Sequence, residues 1–274
     1  MTASPSRNRI APMDTSNARR VLAIEVEPQQ AARFARSMWP SAHERERAKG
    51  RVECGAAVEA LVILAKAPGR GKTRLANDFG EEAARELSGS FLDDTIELAR
   101  GVARGVTVAF TPVDSRAEFA TIAPEATLAP QPAGDMGERI AAALRLALEG
   151  RQSAILIGSD TPQLPAEVIH EAFRALGAAD LVVGPASDGG FYLIGLTRAS
   201  ALSGLFDGIE WSTGSVLAKL VANARLLDLT VQLLEEFTDI DDARSLEAAL
   251  RDHRTLQFAP RTRATVSRLG LEFS

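Results

Sequence analysis

From Ala60 onward the chain alternates short apolar runs with longer amphipathic stretches, the pattern of βαβ units around a mostly parallel sheet. The apolar runs predict strands at 60–66, 105–111, 153–158, 180–184, 191–196 and 228–234. The stretches between them predict helices at 81–100, 135–149, 165–176, 213–224 and 242–251. In the helix at 135–149, Ile140, Leu144 and Leu148 recur every fourth residue with Leu146 nearby, so this face should lie on the sheet. Asp242 is the expected N-cap of the last helix. The basic segment from Pro260 to Ser274 reads as a last strand or a loose end.

The N-terminal part breaks this pattern. Residues 1–20 are rich in Ser, Asn, Pro and Arg with almost nothing to bury, so disorder is expected there. A short strand at 21–24, a short helix from Pro28 to Trp39 and a charged linker or helix face from His43 to Arg51 follow. The expected division is an extension at 1–54, one α/β domain at 55–258 and a C-terminal tail at 259–274.

Charge sharpens this division. The formal net charge is −5, but residues 1–51 carry ten Lys/Arg against five Asp/Glu, which leaves the remainder at −10. So acidic a body is a poor counterion-displacing surface, and nucleic acid is not an expected partner. The single cysteine, Cys54, can form neither an internal disulfide nor a thiolate cluster, which favours the cytoplasm. No apolar run reaches membrane-helix length, so no membrane partner is expected. The three histidines, His43, His170 and His253, stand in no nucleophile or metal spacing, and no Gly-x-Ser-x-Gly elbow is present.

The densest candidate chemistry follows the first strand. Leu61-Val62-Ile63-Leu64-Ala65 runs into Lys66-Ala67-Pro68-Gly69-Arg70-Gly71-Lys72-Thr73-Arg74, a turn crowded with cations before an amphipathic segment. A glycine-bearing backbone can approach an anion closely, and a helix start with Lys and Arg completes the neutralisation. Lys66, Gly69, Gly71, Lys72, Thr73 and Arg74 are therefore the nucleotide-binding candidates. The loop is not a Walker A motif, since Lys66 stands where the first glycine is required, and Arg74 replaces the third glycine of the dinucleotide fingerprint. An ordinary βα turn with solvated cations is the alternative.

Three further strand ends carry carboxylates. Asp160 follows Ile155-Leu156-Ile157, Asp188 follows Leu181-Val182-Val183, and Asp239, Asp241 and Asp242 follow the strand near 228–234. Singly, each reads as a helix cap or a turn residue. Together with a cationic loop they read as a Mg²⁺ or Mn²⁺ site, because hard cations prefer carboxylate oxygens and share the charge of phosphates.

The elements Ala65-Lys66-Ala67-Pro68 with Lys72-Thr73-Arg74-Leu75, Gly134-Asp135-Met136-Gly137-Glu138-Arg139, Gly158-Ser159-Asp160-Thr161-Pro162, Gly184 to Leu196 and Phe206 to Thr213 resemble the bacterial DUF2064 group. That group belongs to the GT-A superfamily of nucleotide-diphospho-sugar transferases and is similar to the guanylyltransferases that act on 2-phospholactate. The resemblance covers about residues 59–252. It implies an α/β fold of GT-A type, a Rossmann-like three-layer sandwich, with the nucleotide on the first βα loop. It implies phosphate contacts from Lys66, Lys72 and Arg74, and a metal held by Asp160 with Asp239 and Asp241, which two-residue spacing would point to one side. Lys72, Asp160 and Asp188 are the expected catalytic residues. Arg139, Asp188, Gly189, Gly190, Trp211, Ser212 and Thr213 are the expected substrate contacts. Relatives usually have two more residues between the lysines matching Lys66 and Lys72, so this loop is shorter.

The function so implied is a metal-dependent transferase with a nucleotide donor and a small-molecule acceptor. The Lys/Arg density of the first loop favours transfer of a nucleoside monophosphate from a triphosphate to a phosphorylated acceptor. Glycosyl transfer from a nucleotide-diphospho-sugar, a P-loop-like NTPase or kinase, and a non-catalytic nucleotide-binding module are the alternatives.

Overall fold

The computed structural model describes residues 59–103, 105–252, 257 and 259–271. The expectations for residues 1–54, with His43 and Cys54, lie outside the described residues, as does His253.

Seven strands form one sheet: β1 (Glu59–Lys66), β2 (Val106–Thr111), β3 (Thr127–Pro130), β4 (Ser153–Gly158), β5 (Leu181–Pro185), β6 (Phe191–Leu196) and β7 (Val231–Leu233). The helices are α1 (Thr73–Phe79), α2 (Glu81–Val102), α3 (Arg116–Ile122), α4 (Met136–Ala147), α5 (Ala166–Leu176), α6 (Val216–Leu226), α7 (Ala243–Arg251) and α8 (Pro260–Leu269), besides single turns at Val113–Ser115, Ala199–Ala201 and Leu202–Leu205. Each strand and helix expected from Ala60 to Arg251 is present within a few residues. The pattern missed α3 and β3, which are too short to show a period.

The strand order is β3-β2-β1-β4-β6-β5-β7. All neighbours are parallel except β6, which runs antiparallel to both β4 and β5. The reversal comes from the tight Ser187–Gly190 turn between β5 and β6, which leaves no room for a crossover helix. From β1 the chain runs outward to β2 and β3, then returns to lay β4 on the other side of β1. The β1/β4 junction is thus the topological switch point, where a crevice opens beyond the carboxyl ends of the strands.

Alternation along each strand divides the core in two. Leu61, Ile63 and Ala65 of β1 join Leu92 and Ile96 of α2 and Val168 and Ile169 of α5 on one face. Val62 faces the other way, with Ile140 and Leu144 of α4 and Val216 and Leu220 of α6. This is the expected three-layer sandwich. On α4, Ile140, Leu144 and Leu148 are buried as expected, whereas Leu146 falls off the stripe and is 44% exposed.

A third, smaller cluster corrects the reading of the C-terminus. Pro260–Leu269 is a helix, neither strand nor loose end, and its Val266 packs with Leu87 and Phe91 of α2, Leu75 of α1 and Leu246 of α7. The helix starts on Asp94, whose buried carboxylate accepts bonds from Arg261 N (3.0 Å), Thr262 N (2.8 Å) and Thr262 Oγ1 (2.7 Å). Sequence distance hid this cap, because the capping side chain comes from α2 rather than from the residue preceding the helix.

Candidate functional site

The loop after β1 is wound tightly. Arg70 N donates to Ala67 O (3.0 Å), Ala67 N to Thr111 O (2.8 Å) and Gly69 N to Ser88 Oγ (2.8 Å). Gly69 and Gly71 sit at φ 79° and 84°, the left-handed region that favours glycine. A Cβ on Gly71 would lie 3.1 Å from the Lys66 ammonium, so Lys66 folds over the loop. Lys66 and Arg70 are exposed.

Lys72 does something other than expected. Its Nζ turns inward, 3.0 Å from Asp160 Oδ1 and 2.9 Å from Asp241 Oδ1, and donates to Ile240 O at 2.8 Å. The Phe91 ring centroid lies 5.8 Å away. Burial on its own would lower the ammonium pKa, but the charges of Asp160 and Asp241 outweigh it and hold the pKa above the ordinary value. A P-loop lysine would instead reach over the loop toward phosphates. The expected phosphate contact is thus an internal cation that ties the β1 loop to the end of β4 and to the segment after β7.

The carboxylates separate in role. Asp160 caps no helix, since α5 begins at Ala166 after Pro165 with no side-chain cap, and its side chain is 45% exposed. Asp239 accepts from Thr161 Oγ1 at 2.6 Å. Burial pushes its carboxyl up to about 6, the Thr161 bond opposes this, and the charges of Asp160, Asp188 and Asp241 add to it. Asp242 caps α7 as expected, in a capping box with Ser245.

The expected convergence of Asp160, Asp239 and Asp241 on one cation is not the arrangement found. Asp239 pairs with Thr161 and faces the cleft, while Asp241 pairs with Lys72 and does not line it. Among the described residues no three His, Cys, Asp or Glu side chains form a ready cage for a metal. The half-exposed carboxylate of Asp160, with Asp239 and Asp188 lining the same cleft, is nevertheless a hard, all-oxygen donor set, which fits Mg²⁺ or Mn²⁺.

Asp188 Oδ1 accepts from Gly190 N at 2.9 Å, so Asp188 does stabilise its turn, and the residue is exposed. Gly189 (φ 88°) lies so close to Gly214 that a Cβ would be 2.3 Å from the Gly214 oxygen, and Leu217 N donates to Gly189 O at 2.9 Å. Trp211 stands between Phe206 and Phe191, at centroid distances of 6.1 and 6.4 Å. Ser212 is held at φ 64°, a conformation that non-glycine residues seldom adopt.

These elements enclose a cleft of about 260 Å³ over the β1/β4 junction. Of the expected site residues, Lys66, Gly71, Lys72, Asp160, Asp188, Gly190, Trp211, Ser212, Thr213 and Asp239 line it. Gly69, Thr73, Arg74, Arg139, Gly189 and Asp241 do not. Arg74 faces Asp242 instead, and Arg139 on α4 keeps its Nε buried with no partner among the described residues. The cleft also takes in Arg70, Ser88, Gln131 and Phe191, which the motif reading did not assign. Arg70 was legible as a loop cation; Gln131 follows the unpredicted β3 and gave no signal.

Residues 95–213 match the model of DUF2064, described as an uncharacterized protein conserved in bacteria. The DUF2064 resemblance holds. The matched DUF2064 segment carries the Asp160, Asp188 and Trp211 elements, while the β1 loop and the Asp239 segment lie outside it. No curated protein matches the chain. A solved structure from Desulfovibrio desulfuricans G20, described as a proposed nucleotide-diphospho-sugar transferase, is 26% identical with a TM-score of 0.64, over 78% of this chain and 98% of that one. The sheet order with its antiparallel β6 and this likeness together make the fold GT-A. More distant likenesses are a CMP:2-keto-3-deoxy-manno-octonic acid synthetase complexed with CTP (13% identity, 73% and 98% covered, TM-score 0.47) and a Mycobacterium tuberculosis H37Rv protein in complex with manganese (18% identity, 70% and 100% covered, TM-score 0.45).

Proposed function

We propose that the protein is a metal-dependent nucleotidyltransferase that moves a nucleoside monophosphate from a triphosphate to a small phosphorylated acceptor. The observation that carries this reading is the presence, in one cleft at the switch point, of two exposed cations, Lys66 and Arg70, together with the half-exposed Asp160. In such a transfer an acceptor phosphate oxygen forms a bond to the α-phosphorus while the bond to the pyrophosphate oxygen breaks, and pyrophosphate leaves. Lys66 and Arg70 would neutralise the β- and γ-phosphates as charge accumulates on the departing group. Lys72 acts as a positioning residue, holding Asp160 and Asp241 in place. Asp160 and Asp239 would hold Mg²⁺ or Mn²⁺, and such an ion, when bound, would share the negative charge of the donor phosphates. Asp188, Trp211, Ser212 and Thr213 face the acceptor end. We assign this activity to the domain at 55–258 together with α8, which packs on it, and to the cytoplasm, the latter on the single cysteine.

Glycosyl transfer is the second reading. The description of the Desulfovibrio relative favours it, as does the aromatic wall of Trp211 and Phe191, which suits a sugar face.

Incubating the full chain with each nucleoside triphosphate, Mg²⁺ and a panel of phosphorylated hydroxy acids tests the choice. Acceptor-dependent pyrophosphate release is expected. Nucleoside diphosphate release from nucleotide sugars, with no pyrophosphate from any triphosphate, would establish the second reading in its place. Absence of both, with no nucleotide raising the melting temperature, would overturn the transferase reading.

A further inference from the structure

Asp239 lines the cleft, whereas its neighbours Phe237 and Thr238 line a separate cavity of about 360 Å³ that shares no residue with it. The walls of this second cavity come from Gln163 and Pro165 ahead of α5, from residues 235–238 after β7 and from the last turn of α7.

Its charge has one sign. Glu235 and Glu236 line it, both are exposed, and neither has a salt-bridge partner among the described residues. Asp252 lines it as well, and among the described residues no Lys, Arg or His does. The negative end of the α7 dipole lies on the same side, through Ala248 and Ala249. The acidic pair is held in place by its backbone: Leu234 N donates to Val183 O (2.9 Å), Phe237 N to Pro185 O (3.1 Å) and the Tyr192 hydroxyl to Glu235 O (2.9 Å).

Gln163 points independently to a ligand. It is only 4% exposed, and its Nε2 donates to Thr238 O at 2.7 Å, which fixes the amide, since a flipped group would set oxygen against oxygen. Oε1 is thereby turned away from Thr238 and accepts no hydrogen bond, a rare state for a buried polar atom. A donor brought into the cavity would satisfy it.

These features together select a cation that carries N–H groups. A bare metal ion is a poor match, because no three carboxylates among the described residues stand close enough to cage one. A primary ammonium has three donors to divide between an amide oxygen and carboxylates. The remaining wall, formed by Pro165, Phe237 and the two alanines of α7, is apolar and suits methylene groups.

We infer that this cavity is a second binding site, for a short aliphatic diamine whose ammonium groups meet Gln163 Oε1 and the Glu235–Glu236 carboxylates. Binding there needs neither nucleotide nor metal, so the inference is independent of the transferase reading.

The test titrates the full chain, free of nucleotide and at physiological ionic strength, with 1,4-diaminobutane, with the neutral isostere 1,4-butanediol and with Ca²⁺ alone, by calorimetry and melting temperature. The diamine should bind saturably at one site with a dissociation constant below about 1 mM and raise the melting temperature, while the diol and Ca²⁺ should do neither. Glu236→Gln and Gln163→Met should each weaken the diamine by about tenfold, and Asp160→Asn, in the cleft, should leave it unchanged. Absence of saturable diamine binding, an equal effect of the diol or of Ca²⁺, or unchanged affinity in either cavity variant overturns the inference. So does a loss of binding in Asp160→Asn, which would place the diamine in the cleft. Should Gln163→Met fail to fold, Glu236→Gln decides, since that substitution is at an exposed position.

Discussion

The Lys72 ammonium lies 3.0 Å from Asp160 Oδ1, so the cation expected to meet substrate phosphate is neutralising the carboxylate expected to meet metal. The pair couples the phosphate loop to the floor of the cleft. Because Lys72 also holds Asp241 and Ile240 O, the loop after β1 and the segment after β7 are one electrostatic unit. A shortened loop is compatible with this arrangement, since Lys66 and Arg70 are the exposed cations of the cleft, whereas the Lys72 that also lines it is buried and paired with Asp160 and Asp241.

Lys72→Ala should therefore destabilise the free protein, in contrast to a solvent-facing phosphate ligand. Removing one partner from a buried ion pair typically costs about 3–5 kcal/mol, and the partial exposure of Asp160 and Asp241 places the expected loss at the low end of that range or below. Urea denaturation of parent and variant measures it. A variant as stable as the parent would show that the inward pairing contributes nothing.

Asp160→Asn should fold, because the residue caps no helix and is nearly half exposed. It should lose the Mg²⁺- or Mn²⁺-dependent part of nucleotide binding by about tenfold or more, as expected when a carboxylate ligand becomes an amide. Titrations with nucleotide in the presence and absence of each metal separate this from a general loss of affinity. Metal dependence identical to that of the parent would remove Asp160 from the ligand set.

Gly189→Ala should impair folding and acceptor use together. The added methyl would meet the Gly214 oxygen at 2.3 Å, on a backbone at φ 88°. Strain at positive φ and overpacking together amount to about 2–4 kcal/mol. Thermal unfolding should fall accordingly. Near-parental stability would mean that the Asp188 turn and the 211–214 segment are free to move apart.

Asp94→Ala should release α8 from α2 at a cost of about 2–4 kcal/mol, because three donors at one helix start lose a buried acceptor. Hydrogen exchange should show loss of protection first within Pro260–Leu269. Equal protection in the variant would show that Val266 packing alone holds the helix.

Asp180 supplies the pH-dependent prediction. Bonds from Thr230 N and Thr230 Oγ1 hold its carboxyl below the usual range, with Arg198 assisting against a small opposing effect of burial. A depressed carboxylate contributes stability above its unfolded pKa of 3.8, and that contribution is lost as pH falls through the folded value. The stability gap between parent and Asp180→Asn should be constant near neutrality and close in the acid range below 3.8. Denaturation curves across pH 2–7 read the trend directly; a gap that widens on acidification would contradict it.

Local pattern determined much of the molecule. The continuous apolar run of β1, whose alternate residues join the two core clusters, and the four-residue stripe of Ile140, Leu144 and Leu148 follow from side-chain direction within single elements, so the α/β alternation and most element positions were legible. Strand ends bearing Lys66, Asp160 and Asp188 marked the cleft, because a mostly parallel sheet collects such ends on one edge. What the tertiary structure decided were partnerships between residues far apart in the chain. Lys72 turned inward because Asp241, from the segment after β7, arrives beside Asp160 and supplies enough opposite charge to keep a buried ammonium charged. Pro260–Leu269 became a helix on a cap contributed by Asp94, and Gln131 had its amide oriented by carbonyls of two other strands. Periodicity reports which way a side chain faces; which charge or carbonyl it meets there is fixed only when distant segments pack together.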